Sequence, residues 1–116
     1  MSEFAGKWRV VEALDLVDDY LSISPDPHIL LEVKSKSKKD VLGSYQFGVQ
    51  DGVIDGHFEK DQMGNMRLVF TFDGCDEMDR DSGYGTASFE APGVLLLVIH
   101  HHMGDTLNYR CRRDQD

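Results

Sequence analysis

Residues 41–60 read Val-Leu-Gly-Ser-Tyr-Gln-Phe-Gly-Val-Gln-Asp-Gly-Val-Ile-Asp-Gly-His-Phe-Glu-Lys. In the first half Gly43, Tyr45, Phe47 and Val49 alternate with Ser44, Gln46, Gly48 and Gln50. In the second half Ile54, Gly56 and Phe58 alternate with Asp55, His57 and Glu59. A period of two is that of a strand with one wet face. Asp51-Gly52 lies between the halves, and Asp-Gly favours the left-handed backbone of a two-residue hairpin. The stretch therefore predicts two antiparallel strands joined at Asp51-Gly52.

The same pattern extends in both directions. Upstream, Lys7 to Leu16 carries Trp8, Val10, Leu14 and Leu16 in phase, with Glu12 as the odd member on the apolar face. His28 to Lys36 alternates Ile29, Leu31 and Val33 against Glu32, Lys34 and Lys36. Between them, residues 17–21 suggest one short helical turn, which Pro25 and Pro27 bring to an end. Downstream, Leu68, Phe70 and Phe72 are in phase, Ala87 and Phe89 resume the pattern, and Pro92-Gly93 turns the chain into the apolar run from Val94. Leu107, Tyr109 and Cys111 alternate in the last strand. Asp73 to Gly85 has no apolar period and crowds acids between glycines, so it reads as a loop.

About eight short strands with connections too short for parallel crossovers make an antiparallel meander. Closure into an up-and-down barrel hides its edges, and an open sandwich is the alternative. The 116 residues suit one domain over 1–116. A net charge of −9 disfavours nucleic acid and anionic membrane surfaces as partners. The N-terminus shows no basic region followed by an apolar run, so the expectation is a cytoplasmic protein with Cys75 and Cys111 as reduced thiols.

Gly6-Lys7-Trp8 at the start of the first strand resembles the G-x-W of calycins, the superfamily of lipocalins, fatty-acid-binding proteins and avidin-like barrels. More closely, the chain is similar to a group of small bacterial proteins. Their shared pattern includes G-x-W, Q-F-G (Gln46 to Gly48), D-E-M-D-x-x-S-G-x-G (Asp76 to Gly85) and H-x-G-D (His102 to Asp105). The resemblance implies a barrel closed at one end by Trp8, packed under a basic residue of the last strand, Arg110 or Arg112. It assigns no activity.

In such a meander, alternate connections share a rim. One rim would gather Asp18, Asp19, Asp26, Asp51, Asp76, Glu77, Asp79, Asp81 and Asp105 above the His100-His101-His102 run. The other would gather Lys34, Lys36, Lys38, Lys39, Lys60, Arg112 and Arg113 beside Trp8. A mouth at the acidic rim would prefer a cation, a metal or an amine-bearing ligand. The candidate ligand-binding residues are Glu12, Tyr45, Tyr109, His100 and His102. A metal would use His100 and His102, two apart on a strand, with Asp76 and Asp79. An EF-hand fails on its glycine and on Ser88 in the place of the bidentate Glu.

No nucleophile elbow, phosphate-cradling glycine loop or zinc-protease motif is present. The expectation is a non-catalytic, cofactor-free module that binds a small ligand or a protein. The alternative is an assembly protein, a homo-oligomer using its acidic rim.

Overall fold

The structure, a computed structural model, describes residues 4–15, 20–35 and 40–114. The expected turn near 17–21 lies partly outside them, as do Asp18, Asp19, Lys36, Lys38 and Lys39. Eight strands follow in order: β1 (Gly6–Ala13), β2 (His28–Ser35), β3 (Asp40–Phe47), β4 (Gln50–Lys60), β5 (Met66–Asp76), β6 (Asp79–Ala91), β7 (Val94–His101) and β8 (Thr106–Arg113). Each strand pairs antiparallel with the next, and β8 pairs with β1, so the sheet closes into a barrel rather than an open sandwich. Closure gives each strand a partner on both sides. One 3-10 turn, Leu21–Ile23, lies in the β1–β2 connection and packs Leu21 against the core.

The alternating apolar residues point inward and fill the barrel. Trp8, Phe47, Leu68, Leu97 and Tyr109 are among the fully buried side chains. Burying a residue of this size stabilises by about 1.5–3 kcal/mol relative to exposure.

Three local expectations give way. The β3–β4 turn is Gly48-Val49, with Phe47 opposite Gln50, and Asp51-Gly52 lies inside β4. Gly48 has φ of +59°, and a Cβ there would lie 2.2 Å from the Tyr20 ring. A glycine that alone can take the first turn position outcompetes the Asp-Gly signal four residues on. The shift turns Gln50 inward, where it is buried.

The acidic stretch is no loop. β5 and β6 run through it, Asp76 faces Asp79, and only Glu77-Met78 turns the chain. Its charges hid the strands because both faces of a projecting ribbon are wet. Arg80 bridges Asp73 at 3.1 Å across that ribbon. The Glu77 amide donates to the Val49 carbonyl at 2.9 Å, tying the two hairpin tips together.

The third change concerns Glu12. The β1–β8 register slips between Val10 and Glu12, a β-bulge at Val11. Trp8 and Val10 point inward, but Glu12 is turned to the outer wall, where Arg110 Nη1 donates to it at 2.6 Å. Glu12 therefore does not line the interior.

Replacing Gly48 with alanine should lower stability by about 1–2 kcal/mol through its left-handed backbone alone. Denaturant titration of G48A against the wild-type chain measures this, as a lower midpoint at unchanged slope.

Candidate functional site

The two ends of the barrel differ. At one end the Trp8 indole donates to the Phe4 carbonyl at 3.0 Å and meets the Phe89 ring edge-on at 5.8 Å. The Arg113 guanidinium lies 4.2 Å from the Trp8 ring and donates to the Ala5 carbonyl at 2.7 Å. A guanidinium over an indole is a favourable stack. The residue over Trp8 is thus Arg113, and neither Arg110 nor Arg112. Strand parity is the reason. Tyr109, Cys111 and Arg113 point inward, while Arg110 faces out to Glu12 and Glu90 and Arg112 is exposed.

Cys111 is buried in this core and burial pushes its thiol up to about 12. Cys75 is exposed on the opposite face of the wall, and both cysteines are free. Acids also reach this end: Lys7 pairs with Asp26 at 2.8 Å and with Asp114 at 3.4 Å. Asp26 therefore sits on the outer wall beside β1 rather than on the far rim.

The opposite end carries a recess of about 350 Å³. Its lining includes Tyr20, Gln50, Asp76, Asp81, His101 and Asp105. Tyr20 comes from the β1–β2 connection and lies flat over Gly48. Gln50 Nε2 donates to the Tyr20 hydroxyl at 2.7 Å, which latches this residue across the mouth.

β7 and β6 place His101 and Asp81 side by side, both pointing inward. The His101 Nδ1 lies 2.9 Å from Asp81 Oδ2 and 3.1 Å from Oδ1, with the two side chains only 12% and 14% exposed. A carboxylate can only accept, so Nδ1 carries the proton. In the neutral ring Nε2 is then a bare lone pair. Nε2 is buried and has no partner among the described residues. The Phe72 ring meets the imidazole edge-on at 5.6 Å and holds its plane.

Two phenols lie deeper. The hydroxyls of Tyr45 and Tyr109 are buried and likewise lack a hydrogen-bond partner among the described residues. Burial pushes both phenols well above the ordinary range. The groups that act on Tyr109 after burial include Tyr20, Gln50 and Asp76, which are also walls of the recess. After burial, the Asp81 charge is the largest influence on Tyr45. The polar ends of both tyrosines thus belong to the same region as the His101–Asp81 pair. A buried hydroxyl without a partner is costly, and a ligand or an ordered water would relieve it.

The expected histidine pair is split, and only His102 lines the recess. His100 points outward, stacks on Tyr84 with ring centroids 4.6 Å apart, and bonds Thr106 at 2.8 Å. His102 belongs to the β7–β8 turn and is exposed. Asp76 and Asp79 face each other at the base of the Glu77-Met78 turn. Among the described residues no group of three or more His, Cys, Asp or Glu is placed to hold a metal ion. The inward histidine is His101, because Leu95, Leu97 and Ile99 fix the inner face of β7. Continuing that phase to His101, and from Tyr109 through Cys111 to Arg113, was the available signal. Gln50 had none, since its direction depends on which turn forms.

Raised phenols link stability to alkaline pH. A native state that binds these protons more tightly than the unfolded chain keeps that stability below about pH 10 and loses it above. Unfolding followed by phenolate absorbance should show Tyr20, Tyr45 and Tyr109 ionising together with loss of structure. Ionisation at the free-phenol value without unfolding would show these hydroxyls to be solvated. Y109F should cost the free protein no more than one neutral hydrogen bond, about 1 kcal/mol.

No family model matches the sequence, and no curated protein sequence is similar to it. Among solved structures the fold is similar to that of the "REP1-NXSQ fatty acid transporter". The TM-score is 0.53 at 10% sequence identity, over all of this chain and 99% of that one.

Proposed function

We propose that this barrel is a small-molecule-binding module whose ligand enters at the mouth framed by Tyr20, Gln50, Asp81 and His101. One observation carries the reading. Of the five buried polar side-chain atoms without a partner among the described residues, three, His101 Nε2 and the Tyr45 and Tyr109 hydroxyls, belong to this one end of the core. Orphaned polar atoms are uncommon in a folded interior, and a shared ligand accounts for all three. The barrel neighbour, called a fatty acid transporter, supports small-ligand binding as the general role of such a shape. The contents differ from what a long acyl chain needs, because aromatic side chains fill the interior here.

A fragment screen read by amide chemical shifts tests the proposal. Binders should perturb Gln50, Asp81 and His101 together, and Y109F should weaken them. Hits confined to the Trp8 end, or a blank screen, would contradict it.

The rim itself favours a second reading. Met78 and Met103, at the tips of two hairpins beside the recess, are 96% and 94% exposed. Apolar tips on an acidic rim suit a protein partner or a second copy. Sedimentation should then show association that M78S/M103S abolishes; a monomer at all concentrations removes self-association.

A further inference from the structure

We infer that the ligand of this mouth presents an ammonium, or a comparably charged N–H donor, to His101 Nε2. The inference rests on the binding reading above and names the chemistry of that same site. Two independent features point to it. The first is the tautomer. Asp81 takes the Nδ1 proton of His101, so the buried Nε2 offers a lone pair and asks for a donor. A carboxylate or phosphate oxygen has no hydrogen to give it.

The second is charge. The recess walls include three carboxylates, Asp76, Asp81 and Asp105, and among the described residues no lysine or arginine. The Asp81 side chain is only 14% exposed, and its carboxylate accepts from His101 Nδ1. A cation entering beside it gains more than it would from an exposed acid. An anion would meet three carboxylates, with no lysine or arginine among the lining residues to offset them.

The phenols fit the same guest. A Tyr hydroxyl can accept from an ammonium as well as donate, and two walls of the recess, Gln50 and Tyr20, act on the buried Tyr109 phenol. An ammonium has several N–H bonds and can satisfy an imidazole and a phenol together. Val49 and Leu107 give the recess an apolar wall for a short carbon chain.

Three guests of equal length separate head group from tail: hexylammonium, hexan-1-ol and hexanoate, titrated calorimetrically into the full chain at low ionic strength. Hexylammonium should bind about tenfold more tightly than hexanol, as befits a charged hydrogen bond over a neutral one, and hexanoate most weakly. D81N keeps an acceptor for Nδ1 and removes the charge, and should reduce the preference of hexylammonium over hexanol. D79N removes an equal charge from an exposed rim position and should preserve it.

Hexanoate binding as tightly as hexylammonium would overturn the assignment, as would an equal loss of preference in D81N and D79N. If fragments bind at the mouth but none of the three guests does, the ammonium assignment fails and the binding module stands. If the fragment screen is blank as well, both fail.

Discussion

Pairing of β8 with β1 is the constraint on which the rest depends. It closes the sheet, and its register decides which side of the wall each residue of the last strand occupies. The bulge at Val11 lets Trp8 and Val10 stay inside while Glu12 leaves. Opposite them, Tyr109, Cys111 and Arg113 enter the core and Arg110 remains outside. A slip of one residue would put Arg110 and Arg112 inside and expose Tyr109, an exchange no core of this size tolerates. The seam therefore builds both ends of the molecule at once. Arg113 seals Trp8 at one end, and Tyr109 stands beneath the mouth at the other.

The polar groups inside the barrel gather at its two ends, and the two ends treat them differently. At the Trp8 end the indole reaches the Phe4 carbonyl and Arg113 reaches the Ala5 carbonyl. At the mouth, three buried atoms are unused. The core between them is a chain of rings, with Phe72, Tyr45, Phe47 and Tyr109 in successive contact. Such a core holds the His101 and Tyr109 side chains in fixed rotamers. A preorganised site loses little freedom on binding.

Much of the fold was legible in the sequence because alternation reports burial directly. Phe47, Ile54, Phe58, Leu68, Phe70 and Phe72 all lie where period two puts them. Legibility failed where another signal outweighed pattern. Asp51-Gly52 is a good turn, but Gly48 with Tyr20 laid over it makes a better one, a tertiary contact that short-range reading does not contain. Charges on both faces disguised Asp73 to Gly85 as a loop. A bulge reversed Glu12. The site was legible only in outline: an acidic mouth away from Trp8, near the histidines. Tyr45 and Tyr109 follow the core pattern and are buried as it predicts. His101 and Asp81 were passed over because each is inward only if its strand extends past the last apolar residue.

The account turns on the protonation of one ring. Long-range proton–nitrogen NMR correlations of the His101 imidazole at neutral pH report it directly. The structure predicts the proton on Nδ1, held by Asp81, with Nε2 bare, and a change at Nε2 when an ammonium guest is added. A proton on Nε2 in the free protein would contradict the account, since the mouth would then offer a donor where its ligand is argued to bring one.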